Sequence, residues 1–69
     1  MKLRELRKEK HLTVGDIAQK VGLSVQCIYN YEKGIREPNV TTIYKLAEIF
    51  NVPVEMMLAV FREVEEGKK

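Results

Sequence analysis

The sequence predicts an all-α fold, a compact five-helix bundle built around a helix-turn-helix. Three observations carry that prediction. Between Thr13 and Gly34, two short helical patterns each open on a hydroxyl residue and close on a glycine. Apolar residues elsewhere recur three and four apart, as in Ile43, Leu46, Ala47 and Phe50, which is the helical period. The chain has 69 residues with one cysteine and one histidine, so neither an internal disulfide nor a metal cluster can staple it. A domain this small depends on helix packing or on association.

Helix 1 is predicted from Lys2 to about Lys10, with Leu3 and Leu6 inward and Arg7 one position past that stripe. His11 and Leu12 connect it to helix 2, Val14 to Val21. Thr13 caps helix 2, with Asp16 three residues on as an acidic capping-box partner. Ile17, Ala18 and Val21 form its apolar face, and Gly22 stands where the chain needs a positive φ. Leu23 plugs the corner. Ser24 caps helix 3, Val25 to Lys33, which turns Ile28 and Tyr31 inward and stops at Gly34. So short a connection makes the two helices cross steeply, and the small Ala18 suits a close crossing. Pro38 blocks any continuation, and Asn39 caps helix 4, whose core positions are Val40, Ile43, Leu46, Ala47 and Phe50. After the turn Asn51-Val52-Pro53, helix 5 starts at Val54, and Val54, Met57, Leu58 and Phe61 close the core. Residues 1–66 make one domain, and 67–69 a frayed tail.

Charge is divided unevenly. Residues 1–36 carry eight Lys/Arg and four Asp/Glu, a net of +4, and residues 37–69 carry four and six, a net of −2. A basic half holding the helix-turn-helix points to a polyanion on that side. No apolar run approaches a membrane span, and the amphipathic N-terminus lacks a signal-peptide core, so the expected location is the cytoplasm. No His/Cys/Asp cluster, nucleophile–base pair or Gly-rich phosphate loop is present, which argues against an enzyme, a metal or a cofactor.

The outward face of helix 3 is the candidate reading surface. At 100° per residue, Gln26, Asn30 and Lys33 share a stripe flanked by Val25 and Tyr29. Glutamine and asparagine can pair with an adenine edge, valine offers contact to a thymine methyl, and lysine suits a phosphate. Any exposed helix shows such residues; the preceding helix and turn give them meaning. At the start of helix 2, the free N–H groups behind Thr13, on Val14 and Gly15, make an anion site, and Gly15 lets a phosphate approach the backbone. Met56, Val60 and Val64 form a second apolar set on helix 5, a surplus that fits a partner helix and hence a homodimer. Cys27 reads as a small half-buried thiol.

The segment Leu3–Pro38, and beyond it Leu46-Ala47, Val52-Pro53-Val54 and Leu58, resembles the Cro/phage-repressor (XRE) family of bacterial helix-turn-helix regulators. The matching elements are I-A, V-G, I-x-x-Y-E-x-G and R-x-P. The resemblance implies a lambda-repressor-like bundle that binds double-stranded operator DNA, usually as a dimer, with helix 3 in the major groove. It implies an ion pair between Arg7 and Glu32, a phosphate contact at Gln19, and further contacts from Arg36 and the Asn39-Val40 backbone. Many members place glutamine just inside helix 2, where this chain has Val14. No small-molecule effector is evident. An antitoxin or adaptor that uses the same fold to hold a protein is the alternative function.

Overall fold

The computed structural model describes residues 3–62. Five helices follow one another there: α1 (Leu3–Glu9), α2 (Val14–Val21), α3 (Val25–Lys33), α4 (Val40–Phe50) and α5 (Val54–Arg62), with no strand among the described residues. α2 packs on α3 and α4, α5 packs on α4, and α1 rests against α3. The shared core is Leu3, Leu6, Val14, Ile17, Ala18, Val21, Ile28, Tyr31, Ile43, Leu46, Ala47, Phe50, Met57 and Val60, and Leu23 packs against it from the corner between α2 and α3.

Each boundary has a local cause. The Thr13 hydroxyl accepts from the Asp16 amide at 3.0 Å, and the Asp16 carboxylate accepts from the Thr13 amide at 3.2 Å, a reciprocal capping box. Gly22 ends α2 at φ 79° and Gly34 ends α3 at φ 80°, left-handed conformations that a Cβ makes costly. Asn51 fills the same role after α4 at φ 60°, which asparagine tolerates better than most residues. α1 stops one residue earlier than its apolar pattern implies: Lys10 lies in a turn, and His11 at φ 59° reverses the chain.

The structure corrects two core assignments. Val40 is 62% exposed. It sits in the first turn of α4, on the edge of the Ile43–Leu46–Phe50 stripe, where no helix covers it. Val60 is only 6% exposed and belongs to the monomer's own core, beside Met57. α5 is therefore rotated relative to the phase the sequence suggests: Val54, Leu58 and Phe61 are half-buried flanks rather than its centre. Phe61 makes an edge-on contact with Tyr31 at 6.0 Å between ring centroids. Hence Val60 cannot be part of an outward dimer face. Met56 is exposed, while Val64, the residue 66 boundary and the Gly67–Lys69 tail lie outside the described residues.

Candidate nucleic-acid interface

The interface is built on α3, and α3 is held in place by its ends and by α1. The Ser24 hydroxyl accepts from the Cys27 amide at 3.1 Å, which fixes the first turn. At the other end the Asn30 carbonyl accepts from Ile35 at 3.0 Å and Arg36 at 3.3 Å, drawing the following loop back over the last turn. From α1, Arg7 Nε donates to Glu32 Oε2 at 2.6 Å, and its Nη1 donates to the Leu12 carbonyl at 3.1 Å. One guanidinium thus ties α1 to α3 and to the loop before α2. The pair is single-armed, because the second arm goes to Leu12 rather than to the carboxylate. Leu12 as an anchor had no signal in the sequence, since any backbone carbonyl at that distance could serve.

With Ile28 and Tyr31 buried, α3 leaves Val25, Gln26, Tyr29 and Lys33 exposed and Asn30 half-buried. Gln26 Nε2 donates to Asn30 Oδ1 at 3.2 Å, so the two amides are coupled rather than independent. Gln26 retains its Oε1 and one Nε2 hydrogen, an acceptor beside a donor. The Tyr31 hydroxyl on the inward side of α3 is pushed up to about 12, by burial first and by the neighbouring Cys27 thiol second, so it stays neutral. Cys27 is half-buried against the core, a packing position.

The predicted phosphate contacts fall into two groups. Gly15, Gln19, Lys33 and Arg36 are exposed. Thr13, Val14 and Asn39 are constrained. Thr13 commits both hydroxyl and amide to the capping box. The Val14 side chain is buried, so only its amide can face a ligand. Asn39 Oδ1 accepts from the Thr42 amide at 2.8 Å, which occupies that side chain as a cap. The free amides at the start of α2 therefore narrow to Val14 and Gly15. The capping box holds the Asp16 carboxyl below the usual carboxylate range, through the Thr13 amide first and the Thr13 hydroxyl second, so a negative charge already sits at this helix start.

Between α1 and α3 lies a cleft of about 310 Å³ lined by Arg4, Arg7, Tyr29, Glu32 and Lys33. Arg4 stands three residues before Arg7 on the same side of α1, a spacing that is visible in the sequence. Among the described residues no group of three or more His, Cys, Asp or Glu could hold a metal, and no helix is long and apolar enough to cross a membrane.

A model of the helix-turn-helix family matches residues 3–56, which span all of α1 to α4 and the start of α5. The chain is 33% identical over 58 residues to a cryptic phage CTXphi transcriptional repressor of Vibrio cholerae, an alignment covering 84% of this chain and 52% of that protein. It is 43% identical over 58 residues to an uncharacterized helix-turn-helix transcriptional regulator of Bacillus subtilis, covering 83% of this chain and 42% of that one. A similar regulator of Methanocaldococcus jannaschii is 39% identical over 54 residues, covering 78% of this chain and 82% of the relative. The chain thus spans about half the length of the phage repressor it matches.

Proposed function

This chain belongs to the Cro/phage-repressor (XRE) type of helix-turn-helix transcriptional regulators, a family of DNA-binding proteins rather than enzymes, and from that premise we propose that it is a repressor that reads duplex operator DNA through α3 in the cytoplasm. The observation that carries the reading is the exposed face of α3. Gln26 offers an acceptor and a donor side by side, the pattern that pairs with an adenine edge, and Asn30 orients it. Val25 and the ring of Tyr29 flank the pair for apolar base contacts. Lys33, Arg36, Gln19 and the amides of Val14, Gly15 and Val40 serve the phosphates, giving salt-sensitive affinity. Selection of bound sites from random duplexes tests this reading: one enriched motif is expected, and no enrichment at any salt refutes it.

The regulator acts as a homodimer through α5, by a face other than the Val60 side. A cleft on α5 is lined by Glu55, Leu58, Ala59 and Arg62. Across a two-fold axis between positions 58 and 59, antiparallel helices bring Glu55 against Arg62 of the second copy twice over, with Leu58 against Ala59 between them. This register supports association of two reading helices for half-sites about one helical turn apart. Sedimentation of wild type, Arg62→Glu and the Glu55→Arg/Arg62→Glu double variant tests it. Loss of self-association in the single variant and recovery in the double are expected; a wild type that is monomeric yet binds a two-half-site operator fully refutes it.

A further inference from the structure

We propose that the cleft between α1 and α3 is a second backbone-phosphate site for duplex DNA, held by Arg4 and Lys33 with the Tyr29 hydroxyl. The inference rests on the DNA-binding reading above and adds to it a residue, Arg4, and an element, α1, that the reading does not use.

Charge comes first. The cleft is lined by three cations and one carboxylate. Arg7 is set back: its Nε holds Glu32, its Nη1 holds the Leu12 carbonyl, and its side chain is only 14% exposed. Glu32 is correspondingly neutralised, with only 6% of its side chain exposed, so it presents little charge to the mouth of the cleft. What remains is Arg4 and Lys33, both exposed, facing one opening from two different helices. A guanidinium fork and an ammonium on opposite walls are suited to a tetrahedral oxyanion, and the Tyr29 hydroxyl adds a donor between them.

Position then identifies the anion. Tyr29 and Lys33 are four apart on α3, and Tyr29 adjoins Asn30, so the cleft is continuous with the reading face. The major groove is about 12 Å wide and an α-helix with its side chains about 10–12 Å across, so an inserted helix meets a sugar–phosphate strand along its flanks. On the α1 flank of α3, Arg4 lines the same cleft as Tyr29 and Lys33. A phosphate held there braces the reading helix from the α1 side and fixes its docking angle. A free anion in the same cleft lacks this continuity with the groove.

The test uses the selected duplex and fluorescence anisotropy across a salt series. Arg4→Gln is expected to bind roughly eight-fold more weakly at 0.1 M salt and to flatten the log–log salt slope by about 0.9, the release of one counterion, on cognate and random DNA alike. Arg4→Lys retains the slope. Replacing single phosphates by neutral methylphosphonates locates the contact: one position weakens wild type more than it weakens Arg4→Gln, in which Lys33 and Tyr29 remain. Circular dichroism checks that the variants are folded, which the exposure of Arg4 favours. If wild type binds the duplex and Arg4→Gln keeps its salt slope, or is as sensitive as wild type at every methylphosphonate, this site is refuted while the α3 reading stands. If wild type binds no duplex, both fall.

Discussion

Removing Glu32 should cost this fold more than any exposed ion pair could. The Arg7 and Glu32 side chains are 14% and 6% exposed, with Nε and Oε2 2.6 Å apart. Exposed pairs contribute roughly 0–1 kcal/mol, whereas breaking a fully buried pair costs about 3–5 kcal/mol because one charge is left without a partner. Since a little solvent reaches Arg7, Glu32→Ala should cost about 2–3 kcal/mol. Arg7→Ala should cost about 3–4 kcal/mol, because it strands both the Glu32 carboxylate and the Leu12 carbonyl. A domain of this length has a total stability of roughly 3–10 kcal/mol, so either change is a large share of it. The double variant should cost about 2 kcal/mol less than the sum, since neither charge is then orphaned. Arg7→Lys is a separate probe: one ammonium cannot reach two acceptors as the guanidinium does, so about 1 kcal/mol should be lost even with the charge retained. Urea unfolding followed by circular dichroism measures all four. A coupling energy below about 0.5 kcal/mol would mean that solvent screens the pair as it does a surface one, and the tie between α1 and α3 would have to be apolar instead.

Three further outcomes follow from the same geometry. Gln26→Ala should cost about 1–3 kcal/mol on the selected site and far less on random DNA, with Asn30→Ala the milder of the two because it orients Gln26; equal losses on both DNAs by anisotropy would make these backbone contacts. Gly15→Ala should stabilise the fold by a few tenths of a kcal/mol, since the added Cβ meets only the Thr13 hydroxyl at 3.8 Å, yet weaken DNA binding by blocking the close approach of a phosphate; unchanged affinity would remove the α2 start from the interface. Asp16 is charged below its ordinary range in the folded chain, so its capping contribution is present at neutral pH and fades as pH falls below about 3.8 toward the lowered value; the urea midpoints of wild type and Asp16→Asn should therefore converge on acidification, and a constant gap would assign the difference to packing.

The features legible in the sequence are those set by local chemistry. Thr13, Ser24 and Asn39 cap because a side-chain oxygen reaches the amide three residues on, and Gly22 and Gly34 stop helices because they adopt the positive φ that the helix end needs. These interactions span four residues or fewer, so a linear reading suffices. The coupling of Gln26 to Asn30 was half-visible, as two amides four apart, but its effect on which one reads a base depends on how deeply Asn30 sits. The Arg7–Glu32 bond, 25 residues apart, and the α1–α3 cleft depend on where α1 lands, a matter of tertiary packing that no local pattern encodes.

The rotation of α5 has a more general cause. Seven of its nine residues, Val54, Met56, Met57, Leu58, Ala59, Val60 and Phe61, are apolar. Such a helix offers an apolar stripe wider than the one it buries, so the 3.6-residue period leaves its exact rotation open. The choice falls to volume and to neighbours. Phe61, the largest of the set, does not enter the centre of the core; it stands at the edge with its ring against Tyr31 of α3. The slimmer Met57 and Val60 lie in the shared core instead, which sets the rotation of α5 about its axis as it packs on α4. The same rotation turns Glu55 and Arg62 out to the same side, seven residues apart, with Leu58 and Ala59 between them. A face with opposite charges at its two ends is complementary to its own copy turned through a two-fold axis, and poorly complementary to a copy set parallel, which would bring like charges together. In the proposed homodimer it is therefore the charges at the margins of α5 that select the antiparallel orientation.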